Sequence, residues 1–182
     1  CIEENIKPKG LRTDLMRNSD YVGLKGFRKS IKLHDEILTE ARYEVAKVQT
    51  NNPLLNWVLD DRSQNTVAYQ ILVSSNESDL NKNKGDYWDS GKTFSNRSSA
   101  IYDGNPLSKN KVYYWKVRYW EDEFRESSYS LPKAFIIDNK VFFENFSQEP
   151  LVASEQLPEL VKKKDGSYFL DYGKAAFAKL KI

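Results

Sequence analysis

From Pro53 to about Asp138, apolar and polar residues alternate in short runs separated by clusters of Asp, Asn, Ser, Gly and Pro. Alternation at period two puts every second side chain on one face of a pleated chain, so each run predicts a strand. Leu54 to Leu59 is the first, closed by the polar turn Asp60-Asp61-Arg62-Ser63-Gln64-Asn65. Val67 to Ser74 is the next, with Tyr69, Ile71 and Val73 on one face. Asn76 to Asp86 reads as a polar loop. Short strands around Tyr87 to Ser90 and over Ser98 to Tyr102 are stopped by Gly91 and by Asp103-Gly104-Asn105-Pro106. The strongest run is Val112 to Trp120, which sets Tyr113, Trp115, Val117 and Tyr119 against Tyr114, Lys116, Arg118 and Trp120. Charge falls on the second face alone, which predicts a half-buried strand with Trp120 turned away from the core. Lys133 to Ile137 completes the set. Short strands with turns at regular spacing describe a β-sandwich over 53–138, and the chain reads as all-β.

The flanks follow no such rule. Residues 1–52 read as a tether and an irregular extension, with Pro8 and Gly10 as breakers and one short strand at Leu11 to Met16. Ile37, Ala41, Val45 and Val48 recur at helical spacing over 35–48, whereas the composition of Tyr43 to Val48 leans to strand; the pattern leaves both open. Residues 139–165 read as a linker that includes Lys162-Lys163-Lys164. Ser167 to Tyr172 and Ala175 to Ile182 are strand-like runs about Gly173. A lone hairpin is marginal in water, so residues 166–182 are expected to open a second sheet.

Composition narrows the function classes. The 182 residues carry 28 Lys+Arg against 26 Asp+Glu, a net charge of +2, which leaves no polyanion footprint and no expectation of nucleic acid. An aromatic content of 13% is enough to bury a core. No apolar run exceeds four residues, where a membrane-spanning helix needs ~20. One Cys (Cys1) and one His (His34) exclude an internal disulfide, a thiolate metal cage and most nucleophile–base pairs, so no metal and no cofactor is expected. The acidic clusters Asp60-Asp61 and Glu121-Asp122-Glu123 sit in polar turns and read as solvated, not as a carboxylate pair held across a cleft.

The order Pro53-Leu54-Leu55-Asn56-Trp57, Ala68-Tyr69-Gln70-Ile71-Leu72-Val73-Ser74-Ser75, Trp88-Asp89-Ser90-Gly91-Lys92, Tyr102-Asp103-Gly104-Asn105-Pro106-Leu107 and Tyr113-Tyr114-Trp115-Lys116-Val117-Arg118 resembles the N-terminal module of bacterial α-L-rhamnosidases, glycoside hydrolase family 78. The resemblance implies a fibronectin type III or immunoglobulin-like sandwich. Gly166 to Phe177 resembles the opening strands of the β-sandwich that follows it in these enzymes. In that family two acidic residues of a separate (α/α)6 barrel perform inverting hydrolysis of terminal α-L-rhamnose. None of the catalytic motifs has a counterpart here, so the chain alone is expected to be an accessory module without catalytic residues.

Four further expectations follow. Leu107 and Tyr113 have the spacing of a tyrosine corner, and Trp57 is placed in the core against Tyr69, Ile71 and Trp115. Trp88 and Trp120 are candidates for stacking on sugar rings, or for packing against a neighbouring domain. Cys1, followed by Glu3 and Glu4, resembles the lipid-modified first residue of a Bacteroidetes surface lipoprotein. That places the chain in the cell envelope, on the outer membrane or at the periplasmic or extracellular surface, with a membrane met only through the lipid. The expected partners are the remaining domains of the same enzyme and a rhamnose-containing polysaccharide. Alternatives are a carbohydrate-binding module and a structural cell-surface interaction domain.

Overall fold

β-Branched and aromatic runs form strands here because such side chains pack well on a pleated surface. The computed structural model describes residues 5–17, 20–25, 27–34, 45–138 and 155–173. Its strands are β1 (Lys9–Thr13), β2 (Met16–Arg17), β3 (Tyr21–Leu24), β4 (Phe27–Ser30), β5 (Val45–Val48), β6 (Leu54–Val58) and β7 (Ala68–Ser74), then β8 (Trp88–Asp89), β9 (Thr93–Phe94), β10 (Ser99–Ile101), β11 (Val112–Trp120), β12 (Lys133–Ile137), β13 (Leu160–Lys164) and β14 (Ser167–Asp171). One short helix, α1 (Glu77–Asn81), lies between β7 and β8. One sheet has the order β10-β6-β1-β2 and the other β5-β12-β11-β7-β8, with β9 also on β7. β3–β4 and β13–β14 are separate hairpins.

The core lies between the two sheets. Val73 stands opposite Trp115, Ile71 opposite Val117 and Tyr69 opposite Tyr119, so the inward residues of β7 and β11 form adjacent rows. Leu55 and Trp57 of β6 and Leu11 of β1 meet them from the other sheet. Trp57 packs edge-on to Tyr69 at 5.2 Å, in the core position expected for it. Trp115 Nε1 donates to Thr13 Oγ1 at 3.1 Å and so bonds one sheet to the other. The tyrosine corner is present too: Leu107 is buried, and the Tyr113 hydroxyl accepts from Ser108 N at 2.8 Å. Tyr113→Phe should lower the unfolding free energy by about 1 kcal/mol in urea titration, the ordinary net worth of one hydrogen bond.

The sandwich reaches outside residues 53–138. Residues 1–52, read as a tether and irregular extension with a short strand at Leu11 to Met16, contribute β1, which overlaps that run and pairs with β6, and Ile6 O accepts from Ser128 N at 2.8 Å. Residues 45–48 form a strand and not a helix. There β5 lies parallel to β12 with Ala46 opposite Phe135, and sheet-edge burial of Ala46 and Val48 outweighs the helical spacing. Residues 35–44 lie outside the described residues. The loop Asn76 to Asp86 contains α1, capped by Asn76 Oδ1 accepting from Ser78 N at 2.9 Å, with Glu77 and Asp79 in its first turn. The Lys162-Lys163-Lys164 run belongs to β13, inside the segment read as linker, and Ala175 to Ile182 lie outside the described residues.

The β1–β2 turn is made by Asp14 (φ 49) and Leu15 (φ 65), both left-handed as a two-residue hairpin turn requires. A Leu there is strained, because its Cβ crowds the backbone. Leu15→Gly should raise the denaturation midpoint, by up to about 1 kcal/mol of stability.

Candidate functional site

The two candidate tryptophans stand on opposite faces of one sheet. Trp88 on β8 lies opposite Val73, and directly opposed residues share a face, so its ring points towards the core. Trp120 lies opposite Ala68, in the outward row with Arg118 and Lys116. The structure therefore does not bring them together into one sugar platform.

Trp120 was expected to be exposed on that outward face, yet it is only 6% exposed. Lys92 Nζ lies 4.7 Å and Arg118 Cζ 4.8 Å from its ring centroid, so two cations of the chain itself lie over the ring. Residues 126–130 run beside β11. Ser127 N donates to Tyr119 O and Ser130 N to Val117 O, both at 2.8 Å, and the two serine hydroxyls accept from Tyr119 N (3.0 Å) and Val117 N (3.1 Å). This run lays Tyr129 over Lys116 (4.5 Å) and Arg118 (4.9 Å).

A polar layer results. Gln70 Oε1 accepts from Arg118 Nη2 at 2.8 Å and from the Tyr129 hydroxyl at 3.0 Å, while Gln70 Nε2 donates to Asp89 Oδ1 at 2.7 Å. Arg118 also pairs with Glu126 at 3.2 Å, and Lys116 Nζ donates to Asn83 Oδ1 at 2.6 Å. The sequence reading missed Gln70, Tyr129, Ser127 and Ser130; Ser128-Tyr129-Ser130 is too polar to stand out as a strand beside Val112 to Trp120.

Burial and the nearby Arg118 charge hold the Lys116 ammonium below the ordinary lysine pKa, while burial raises the Tyr129 hydroxyl. A lysine with a depressed folded pKa binds fewer protons folded than unfolded, so its contribution to stability rises with pH through the lysine range. Urea unfolding at alkaline pH should show that upward slope diminished in Lys116→Met relative to the unsubstituted chain.

Trp88 is half-buried and meets Tyr102 edge-on at 5.4 Å. Gly104 packs beside it so closely that an added Cβ would lie 2.5 Å from Trp88 Cβ and 2.4 Å from Tyr87 O. The Tyr102 hydroxyl donates to Asn105 O at 2.6 Å, and burial drives its pKa far above the ordinary tyrosine value. Trp88 thus closes the edge of the core. The adjoining Asp89-Ser90-Gly91 behaves as its composition suggests: Gly91 has φ +58, its N donates to Asp89 Oδ1, and Ile71 N donates to Ser90 Oγ, both at 2.9 Å.

In each acidic cluster one carboxylate is held by a neighbouring arginine. Hydrogen bonds from the Arg62 side chain and backbone hold Asp60 well below the carboxylate range, and Arg125 holds Asp122 at about 2. Asp14 is raised by burial, against the opposing Leu54 amide, but it closes the β1–β2 turn. His34 Nε2 lies 3.3 Å from Glu77 Oε2. Among the described residues no cluster of three His, Cys, Asp or Glu is placed to hold a metal ion. Cys1 lies outside the described residues.

Residues 35–137, more than half of the chain, match the family described as Rha78A-like, N-terminal immunoglobulin domain. The chain belongs to this family. An α-L-rhamnosidase of Formosa agariphila is 32% identical to it over 104 residues, which are 56% of this chain and 11% of that protein. Another, from Streptomyces avermitilis, is 34% identical over 84 residues, 44% of this chain and 8% of that protein. Among solved structures, the α-L-rhamnosidase from Dictyoglumus thermophilum aligns at a TM-score of 0.52 and 26% identity, covering 87% of this chain and 14% of that one. The S. avermitilis α-L-rhamnosidase complexed with L-rhamnose shares the fold, at a TM-score of 0.51 and 22% identity over 72% of this chain and 10% of that one. The chain spans about a tenth of the length of the curated relatives it matches. What it shares with them is the Rha78A-like immunoglobulin domain, a non-catalytic module, and these residues do not include the catalytic domain of those enzymes.

Proposed function

We propose that this Rha78A-like immunoglobulin domain spaces and positions the catalytic domains of an α-L-rhamnosidase acting on rhamnose-containing polysaccharide at the cell envelope. The observation that carries the reading is the match of residues 35–137 to the N-terminal immunoglobulin domain, against relatives of which it is so small a part. Residues 166–182 open the next β-sandwich of the same enzyme in this reading, and the exposed hairpin β13–β14 supports it. The purified chain should give no turnover of an aryl α-L-rhamnoside, whereas the polypeptide encoded by its whole reading frame should hydrolyse it. Turnover by the 182-residue chain itself, or a whole-frame product without rhamnosidase activity, would overturn the proposal.

Anchoring through a lipid on Cys1 belongs to the same proposal, supported by the acidic, polar residues that follow it. Mass spectrometry of the N-terminal peptide from a membrane fraction reads it directly. Sugar stacking on Trp88 or Trp120 is the competing role. It requires Lys92 and Arg118 to leave the Trp120 ring, and glycan-array binding lost in Trp120→Ala would establish it.

A further inference from the structure

We infer that one end of the sandwich, marked by Leu15, Leu54 and Ile101, is the surface on which the next domain of the same polypeptide docks. The inference rests on the accessory-module reading and adds to it the face and the occupant.

Three observations meet at this end. The first is exposed apolar surface in register. Ile101 on the edge strand β10 stands opposite Leu54 on β6, on the row turned away from the core, because the neighbouring pair Ala100–Leu55 carries the buried leucine. Leu54 in turn exchanges backbone bonds with the β1–β2 turn: Asp14 N donates to Leu54 O at 2.8 Å and Leu54 N to Asp14 Oδ1 at 2.7 Å. Leu15 follows in that turn, so the three apolar residues fall together at one corner. Ile101 is 64% exposed and Leu15 65%. Contiguous exposed apolar groups mark contact surfaces more often than chance.

The second observation is strain. Leu15 sits at φ 65, where Gly or Asn would serve the same turn without steric cost. An apolar side chain held out to water in a disfavoured conformation gains nothing for the isolated sandwich. Such strain is kept where a partner uses the side chain.

The third observation names the occupant. The last described residue of the sandwich lies at this same end. Asp138, just past β12, donates from its N to Val48 O at 2.8 Å. The short turn from Val48 to Pro53 then leads into β6 at Leu54, and Asn52 Nδ2 donates to Tyr102 O at 3.1 Å, next to Ile101. Asp138, the last described residue ahead of 155, therefore lies beside the corner, and the next described structure along the chain is the hairpin β13–β14, whose Val161, Tyr168 and Phe169 are themselves exposed. The opposite end is less suited to the role: although Phe94 is 79% exposed there, Lys92 lies over both its ring and that of Trp120.

Hydroxyl-radical footprinting of the 182-residue chain and of the polypeptide from its whole reading frame tests this. Oxidation of Leu15 and Ile101 should fall at least fivefold in the longer protein, while Phe94 and Phe124, exposed at the far end, react as before. Equal oxidation of Leu15 and Ile101 in both forms, in a longer protein that hydrolyses an aryl α-L-rhamnoside, would overturn the docking surface and leave the accessory role standing. A longer protein without that activity would remove the accessory role and the docking inference with it.

Discussion

Trp115→Ala should be the most damaging single substitution in the sandwich, with an expected loss of about 3–5 kcal/mol, the usual range for truncating a buried tryptophan. Trp115 is fully buried at the middle of β11, between β7 and β12, with Val73 opposite it on one side and Lys133 on the other. Truncation leaves a cavity that strands hydrogen-bonded on both sides cannot close by moving inward. It also removes the donor to Thr13 Oγ1, a hydroxyl on β1 with no exposed surface of its own. Domains of this size have about 5–15 kcal/mol of total stability, so the variant should be largely unfolded well below the denaturation temperature of the unsubstituted chain. Trp115→Phe separates the two contributions. It keeps most of the apolar volume and orphans the threonine, and Trp115→Phe with Thr13→Val should recover part of its loss. Urea titration followed by near-ultraviolet circular dichroism reads all three, and a loss below about 1 kcal/mol for Trp115→Ala would contradict the assignment of Trp115 to the packed centre.

The sequence made the centre of this fold legible and the edges much less so, for physical reasons visible at particular residues. Val112 to Trp120 and Lys133 to Ile137 are strands with the limits that alternation implied, because a long period-two run has no other way to bury its aromatics. The Leu107–Tyr113 corner and Asp89-Ser90-Gly91 were readable because their roles depend on residue type at fixed spacing. Val45 to Val48 was ambiguous because its apolar spacing suits a helix, and only the parallel partner β12, far away in sequence, decides for a strand. The outward face of β11 misled for a related reason. Lys116 and Arg118 signal solvent by composition, but Tyr129, Gln70 and Asn83 cover them from elsewhere in the chain and supply their hydrogen bonds and ring faces. Thus Trp120, an exposed candidate by alternation, is a buried residue by packing. The turn at Leu15 was invisible, since nothing in a Leu announces a positive φ.

Asp20→Ala should cost about 3–5 kcal/mol, although Asp20 lies ahead of the segment that matches the family. Its Oδ1 lies 2.9 Å from Lys133 Nζ, and the lysine side chain is only 4% exposed. Lys133 opens β12 opposite Trp115, at the rim of the core. Asp20 O also accepts from Ile31 N at 2.9 Å, so the same residue closes the base of the β3–β4 hairpin. The ion pair thereby clamps that hairpin, with its buried Val22 and Ile31, to the sandwich. The two halves of the pair should not be equivalent. Lys133→Met fills the site with an unbranched apolar chain and leaves Asp20 with water within reach, so its loss should be much smaller, and Asp20→Ala combined with Lys133→Met should restore most of what Asp20→Ala removes. A double-mutant cycle in urea measures this coupling, which should change little between low and high salt because a buried pair is poorly screened. Simple additivity of the two losses would mean that Lys133 is held by its surroundings without help from Asp20. A strong coupling would instead show that the cooperative unit includes residues 20–31, and that a domain cut at the start of the family match would lose a buried counter-ion together with its hairpin.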